Sequence, residues 1–189
     1  MLNPERSRVT VKAPERLETR RLILRRPRQD DAEAIFGSYA SDKDVTRFLS
    51  WQRHTTVETT GAFLDFSDTE WARWAAGPYV VESRESGQLL GGTGFGFETH
   101  YRAATGYVFA KNAWGKGYAT ETLEAIVRIA RGTRLIRLYA LCHVENGASW
   151  RVLEKCGFIR EGVLRRHSVF PNLRQNNPCD VYCYARIFD

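Results

Sequence analysis

The hydrophobic and polar positions of this chain follow two periods, which predict a mixture of helices and strands. The clearest helical pattern spans residues 118–131, where apolar residues recur three and four positions apart. The members of this stripe are Ala119, Leu123, Ile126, Val127 and Ala130. Shorter apolar or alternating runs, bounded by Gly, Pro, Asn and Asp, predict strands on either side of this helix.

Extended over the whole chain, the same patterns predict a single layered domain. Helices are predicted at about 30–39, 43–49, 56–75 and 118–131, and in a short segment after Asn146. Strands are predicted at about 20–26, 79–84, 88–98, 105–110, 134–142, 158–170 and 179–187. Glu85-Ser86-Gly87 predicts a hairpin turn, and residues 171–178 predict a turn-rich connector. This order indicates an α/β (α+β) fold with a mixed, mostly antiparallel sheet flanked by helices.

Composition agrees with one globular domain and excludes several other classes. The 189 residues are 43% hydrophobic, which is typical of a packed core and not of a disordered chain. The sequence contains no run of eighteen or more apolar residues, so no membrane span is expected. The polar N-terminus predicts no secretory signal, and four cysteines without a close pair predict reduced thiols. These features favour a cytoplasmic protein.

The charge is concentrated at one end of the chain. The net charge of +6 falls entirely within residues 1–28, which hold nine Lys/Arg and three Asp/Glu. We interpret residues 1–16 as a basic arm that is a solvated tail or a contact for RNA or an acidic protein. Nucleic-acid binding is not favoured, since a nucleic-acid-binding domain is expected to carry basic residues across a whole face.

A glycine-containing loop joins one predicted strand to the helix at 118–131. Gly115 and Gly117 lie just before the helix, where unpaired N–H groups and the helix dipole favour an anion. The segment matches neither the P-loop nor the dinucleotide-binding pattern. It therefore predicts a phosphate or pyrophosphate site, with a simple tight turn as the alternative.

A second segment follows about thirty residues later in the sequence. Residues 146–158 begin with Asn146, a good N-cap residue, and end at Gly157, a good helix terminator. Together the two segments resemble the acyl-CoA-binding loop and the pantetheine-binding helix of the GNAT superfamily of N-acyltransferases. Residues 17–25 and 30–36, and the two closing strands, are similar to the branch that contains ribosomal-protein alanine and serine N-acetyltransferases. The resemblance covers residues 17–189, which we take as one acetyltransferase domain.

The resemblance implies acetyl-CoA as the donor substrate, held between two strands that splay apart at about 105–110 and 134–142. It implies contacts to pantetheine from Val108, Phe109 and Ala110, with the N–H of Phe109 or Val108 polarising the thioester carbonyl. Asn146 and Ser149 lie on the implied pantetheine helix. The implied pyrophosphate contacts are Trp114, Gly115, Lys116, Gly117, Tyr118, Ala119 and Thr120. No metal is implied, and the four dispersed histidines fit no zinc motif.

The catalytic groups are less clear, because several positions differ from the family pattern. The position that often holds a thiol-protonating tyrosine is Leu153, which leaves Ser149 as the alternative donor, or as a residue bonded only within its helix. The positions where family branches place a basic carboxylate are Ala104, Leu141 and Ser168.

Without a carboxylate at those positions, other groups become candidates for the general base. His143 is one candidate base and Glu82 a second, and His100 and His167 are less favoured candidates. An α-amine needs less help than a lysine, since its ordinary pKa is near 8 and that of lysine near 10.4.

The expected function is therefore acetyl-CoA-dependent N-acetylation of a primary amine, with a protein N-terminal α-amine favoured. A polyamine, an aminoglycoside or another small amine is the alternative acceptor, and a non-catalytic CoA-binding or RNA-associated protein is a further one. An acidic cleft would favour polycations and a neutral slot a peptide N-terminus. Trp51 is predicted to form part of the acceptor wall, and a homodimer is the expectation for this branch.

Overall fold

The structure, a computed structural model, describes residues 13–133 and 135–189. Eight strands form one sheet in the order β1-β2-β3-β4-β5-β6-β8-β7. The strands are β1 (Arg16–Glu18), β2 (Leu22–Arg25), β3 (Pro78–Ser83), β4 (Leu89–Phe97), β5 (Arg102–Phe109), β6 (Arg137–His143), β7 (Ile159–Phe170) and β8 (Arg174–Ile187). β5 and β6 pair in parallel, and the other neighbouring pairs of this sheet are antiparallel. The expected fold class is confirmed.

Five α-helices cover the sheet: α1 (Ala32–Ile35), α2 (Lys43–Thr46), α3 (Val57–Trp74), α4 (Tyr118–Arg131) and α5 (Gly147–Lys155). α1 is preceded by one 3₁₀ turn and continues as a π-helical turn over Phe36–Ala40. In a π turn the hydrogen bonds span five residues, one more than in an α-helix. The prediction of one regular helix over residues 30–39 is therefore wrong in detail. Within the described residues, no helix is long and apolar enough to cross a membrane.

The core has two main parts. In the larger part, the predicted apolar stripe of α4 packs against alternate strand residues, and Leu123, Ile126 and Ala130 are completely buried. The smaller part joins α1 and α3 to other strand residues, including Val80 and Leu89. Because successive strand residues point to opposite faces, Val80 and its neighbour Val81 contribute to different parts of the core.

β4 contains four glycines, two of which are required by close backbone contacts. A Cβ at Gly91 would lie 2.2 Å from the carbonyl oxygen of Val108 on β5. A Cβ at Gly94 would lie 2.6 Å from the carbonyl oxygen of Gly77, and the φ angle there is +153°. These glycines let β4 approach β5 and the start of β3 closely. The close contact with β4 fixes the backbone of β5.

The most important feature for function is that β5 and β6 diverge. They pair only through Arg102–Ala104 of β5 and Arg137–Tyr139 of β6. Beyond Ala104 the two strands separate, while β4 stays paired with β5 and β8 stays paired with β6. The expected splayed pair of strands is therefore present, and the sheet is open at its centre.

Several predicted boundaries need correction. The strand predicted at 20–26 is β2 alone, and β1 precedes it as a separate short strand. The helix predicted at 43–49 ends at Thr46, and the predicted connector at 171–178 is mostly the beginning of β8. The helix at 118–131 has the predicted ends, and the turn at Glu85-Ser86-Gly87 is confirmed with Gly87 at φ +68°. Most of the basic arm, residues 1–12, lies outside the described residues.

Candidate active site

A cavity of about 680 Å³ opens where β5 and β6 separate. Residues 105–108 of β5 and 139–142 of β6 form its two edges, and Asn146, Ser149 and Leu153 of α5 form part of its lining. These three α5 residues are three and four positions apart, so they lie on one face of the helix. The cavity therefore contains the place where the sequence predicts the reacting end of pantetheine.

The backbone of β5 identifies which amides face this gap. The N–H of Ala110 donates to the carbonyl oxygen of Leu90 at 2.8 Å, so Ala110 is hydrogen-bonded to β4. In a regular antiparallel pair the hydrogen-bonded residues alternate, so Val108 also faces β4, whereas Tyr107 and Phe109 face the gap. Of the two predicted donors to the thioester carbonyl, this geometry favours Phe109 over Val108.

The glycine loop has the conformation that an anion site requires. Gly115 and Gly117 have φ angles of +74° and +77°, which strain any residue with a side chain. A Cβ built on Gly115 would meet no atom within 4 Å, so the backbone is open to a ligand. Gly117 is the N-cap residue of α4 and has no side chain to occupy the helix end, which leaves the first N–H groups available.

Contacts from the turn just before β2 hold this loop in place. The Arg21 guanidinium donates to the Lys116 carbonyl oxygen at 2.9 Å and to the Glu121 carboxylate at 2.7 Å. Glu121 also accepts from the Thr19 hydroxyl at 2.6 Å and from the Arg21 N–H at 2.8 Å. Burial alone would raise the pKa of Glu121, but the hydrogen bonds from Thr19 and Arg21 outweigh it and lower the pKa.

Trp114 makes a contact specific to its indole. Its Nε1–H donates to the carbonyl oxygen of Phe109 at 2.8 Å, which ties the loop to the end of β5. The ring is otherwise 48% exposed. The loop therefore combines a fixed backbone with open N–H groups, which is the arrangement that favours an anion such as a diphosphate.

Ser149 has a partner that the sequence did not indicate. The Tyr107 hydroxyl donates to the Ser149 carbonyl oxygen at 2.9 Å and lies 3.1 Å from the Ser149 hydroxyl. Since the phenol proton is used on the carbonyl, the serine hydroxyl is left to donate to the phenol or to a group in the cavity. Burial raises the pKa of Tyr107, so this phenol stays protonated at neutral pH.

His143, a predicted base, lies behind the cavity wall. Its ring stacks on Phe48 and meets Phe170 edge-on, with ring centroids 5.0 Å apart in both cases. Its Nδ1 accepts from the Glu145 N–H at 3.2 Å, so the neutral ring carries its proton on Nε2. Burial lowers the pKa of His143, and the positive charges of Arg174 and Arg47 lower it further. The ring is not part of the cavity lining, although both of its aromatic neighbours are.

Glu82, the other predicted base, is placed where it does not support that role. Its carboxylate accepts from Arg25 Nε at 2.9 Å, and the same guanidinium binds both oxygens of Asp31 at 2.7 and 2.8 Å. Glu82 does not line the cavity. This arrangement joins β2, β3 and the start of α1, and it gives Glu82 a structural role.

The three positions where related branches place a carboxylate do meet at the cavity. Ala104, Leu141 and Ser168 all belong to its lining. Ser168 is also bonded to His167, whose Nδ1 lies 2.9 Å from the serine hydroxyl. Among the described residues that line the cavity, no Asp, Glu, Lys or Arg is present. The described residues also contain no cluster of side chains suited to a metal.

Aromatic side chains form a large part of the cavity wall. Trp51 is part of this wall, as are Phe63 and Phe66 of α3. Trp71 and Trp74, on the same helix, are not in the lining. The Trp71 indole donates to the Pro78 carbonyl oxygen at 2.8 Å and is buried in the core, and Trp74 stacks on Phe97.

Comparisons with a family model and with individual proteins indicate the same family. Residues 21–159 match the model of the acetyltransferase (GNAT) domain. The chain is 33% identical over 177 residues to the uncharacterized N-acetyltransferase YoaA of Bacillus subtilis, covering 89% of this chain and 94% of that relative.

Two solved structures show the same fold. One is a GNAT-family acetyltransferase from Bacillus anthracis, with a TM-score of 0.77, 29% identity and coverage of 91% of this chain and 98% of that one. The other is RimL, a ribosomal L7/L12 alpha-N-protein acetyltransferase solved with coenzyme A, with a TM-score of 0.82, 24% identity and coverage of 93% and 99%.

Proposed function

We propose that the acceptor of this enzyme is the α-amine of a peptide or protein N-terminus, on the premise that the chain belongs to the GNAT acetyltransferase family. Family membership makes it an acyltransferase that uses acetyl-CoA. The choice of acceptor is our inference. A protein N-terminus is also the type of acceptor named for RimL, a ribosomal L7/L12 alpha-N-protein acetyltransferase.

The absence of charge in the described cavity lining supports this acceptor. A polyamine or an aminoglycoside carries several ammonium groups, and buried cations need carboxylate partners. The described lining offers none. A peptide N-terminus brings a single amine, so it fits a neutral cavity better than a polycation does.

In the proposed reaction, Phe109 and Ser149 have distinct roles. Acetyl-CoA supplies an acetyl thioester, which the amine attacks. The N–H of Phe109 is placed to donate to the thioester carbonyl oxygen, where negative charge develops. The Ser149 hydroxyl, oriented by Tyr107, is suited to give its proton to the departing thiolate, and the proton that the attacking nitrogen loses restores the hydroxyl.

The loop at 114–120 and α5 have the binding roles. Residues 115–120 are placed to hold the diphosphate through backbone N–H groups, with Arg21 keeping the loop in register. Asn146 caps α5 by accepting from the Ser149 N–H at 3.2 Å, so it sets the position of Ser149 as well as lining the cavity.

The proposal is tested by measuring release of free CoA thiol with acetyl-CoA and a panel of amines. The panel contains N-terminal peptides, an Nα-blocked lysine peptide, spermidine and an aminoglycoside. We expect turnover with the free N-terminal peptides and little with the other amines. Preferential turnover of spermidine or the aminoglycoside would replace the proposed acceptor with a polycation.

A further inference from the structure

Six aromatic residues of the cavity lining come from the segment after α2, from α3 and from the end of β7, and together we name them the acceptor chamber. They are Phe48, Trp51, His54, Phe63, Phe66 and Phe170. Phe63 and Phe66 are three residues apart on α3, so they share one helix face. Phe48 and Trp51 come from the segment after α2, and Phe170 ends β7. Three separate parts of the chain therefore place aromatic rings around one space.

The single imidazole of the chamber is held in a neutral, bonded state. His54 Nδ1 lies 2.8 Å from the hydroxyl of Thr60, and the ring centroid is 5.0 Å from that of Trp51. His54 is 9% exposed, and burial lowers the pKa of its ring. Within the described lining, the chamber thus offers a substrate apolar ring faces and no ionised partner.

Phe66 has an apolar surface that the described residues cover only in part. Its side chain is 55% exposed although it lines the cavity. Phe170, another residue of the chamber, is 4% exposed and packs with Cys179 and Val181. A ligand group placed over Phe66 would remove its ring from water, which is favourable in proportion to the apolar area covered.

We propose that the acceptor chamber binds a bulky apolar group attached next to the reacting amine, such as the side chain of an N-terminal Phe or Leu. This deepens the proposed function and rests on it for the peptide context. Aromatic walls bind planar and branched apolar groups well, and a charged first residue would be buried without a partner. A small polar first residue would leave the chamber unfilled.

The test uses peptides that are identical except for the first residue, which is Phe, Leu, Ala, Ser, Asp or Lys. We expect kcat/KM to be at least about 10-fold higher with Phe or Leu than with Ala or Ser, and lowest with Asp or Lys. Equal rates across the series, or a preference for Ser, Asp or Lys, would overturn the proposal.

Two variants locate the effect. Phe66→Ser should reduce the preference for Phe over Ala by about 3-fold or more, since it removes one aromatic wall. Ile159→Ser is the matched control, because Ile159 is 72% exposed on β7 and lies outside the cavity lining. An unchanged Phe-to-Ala ratio in the Phe66 variant would count against the chamber as the specificity site. Both side chains are exposed, so both variants are expected to fold.

Phenethylamine and ethanolamine separate this proposal from the proposed function. If peptides are not acetylated but phenethylamine is preferred over ethanolamine, the peptide acceptor is wrong and the apolar chamber is supported. If peptides are acetylated without regard to the first residue, the proposed function stands and the chamber proposal fails. A preference for ethanolamine over phenethylamine would also overturn the chamber.

Discussion

Asn172 holds the acceptor wall together, and replacing it gives the most informative perturbation of this protein. Its Oδ1 accepts from the Arg53 N–H at 2.8 Å, and its Nδ2 donates to the carbonyl oxygens of Thr46 and Trp51, both at 2.9 Å. All three partners are backbone groups of the segment that carries Trp51. The turn between β7 and β8 is thereby attached to a loop more than a hundred residues earlier in the sequence.

The expected cost of Asn172→Ala follows from these three bonds. Each neutral hydrogen bond contributes about 0.5–1.5 kcal/mol net, so the full loss is roughly 1.5–4.5 kcal/mol. Asn172 is half-buried, and water can replace part of what is lost. We therefore expect the free energy of unfolding to fall by about 2 kcal/mol, with the m-value unchanged.

The functional effect should be confined to the acceptor side. Freeing the segment around Trp51 displaces one wall of the acceptor chamber, and small misplacements of bound groups cost rate steeply. We expect KM for the amine to rise on the order of 10-fold, while the Kd for acetyl-CoA changes by less than about 2-fold. Calorimetry gives the Kd, and steady-state kinetics give the KM.

Hydrogen exchange provides a measurement that does not depend on activity. In Asn172→Ala, peptides covering residues 47–56 should exchange faster, whereas those covering α4 should not change. Asn172→Asp has nearly the same shape but loses both donated bonds, so it should behave like the alanine variant at neutral pH. Asn177→Ala, an exposed position on β8, is the control. Unchanged exchange over 47–56 together with an unchanged KM would refute the assigned role.

Three further outcomes are expected. Ser149→Ala should lower kcat by about 10²-fold with little change in acetyl-CoA affinity. Tyr107→Phe should lower kcat by less, because it removes only the group that orients the serine. Full activity of Ser149→Ala in a thiol-release assay would exclude Ser149 as the proton donor to the thiolate. Glu121→Gln should lower the free energy of unfolding by about 1 kcal/mol at neutral pH and weaken acetyl-CoA binding. Since the pKa of Glu121 is lowered by folding, its contribution is present above the ordinary carboxyl pKa and disappears as the pH falls through the lowered value, which urea unfolding at neutral and acid pH can measure. Gly94→Ala should destabilise the fold by about 1–3 kcal/mol by thermal or urea unfolding, while Gly96→Ala, whose Cβ would meet no atom within 4 Å, should cost much less.

Features set by local sequence were predicted well. The helix α4 has the predicted ends because its apolar stripe is continuous and Gly117 can adopt the left-handed conformation before it. Asn146 and Gly157 similarly mark both ends of α5, and Gly157 has φ +75° as expected for a terminating residue. In these cases the residues that decide the structure lie within a few positions of it.

Features set by distant contacts were missed. Thr19 and Arg21 lie in the tight connection between β1 and β2, where both bind Glu121 about a hundred residues later, so the strand predicted from residue 20 begins only at Leu22. Pro178 predicted a connector, yet β8 runs through it, because the proline falls where the β7–β8 register shifts and no regular ladder bond is required.

The candidate site shows the same division. The spacing of residues 114–121 and 146–157 predicted two ligand-binding elements from local pattern. The structure brings the family carboxylate positions, including Ser168, together at the cavity. The Tyr107–Ser149 contact spans 42 residues, and the Asn172 contacts span 119 to 126, so no local pattern in the sequence signals either of them.

The charge-free cavity also bears on how the amine becomes reactive. Moving an ammonium from water into an uncharged, largely apolar space disfavours its charged form and lowers its pKa. An α-amine begins with a pKa near 8, so its neutral form costs only about 1 kcal/mol at neutral pH, whereas a lysine begins near 10.4 and costs about 4–5 kcal/mol. Burial in a space without carboxylates can therefore supply much of the deprotonation that a glutamate would otherwise assist. The missing carboxylates at Ala104, Leu141 and Ser168 and the proposed preference for an α-amine are thus consistent with each other, because the described cavity lining holds no carboxylate that would keep the acceptor protonated.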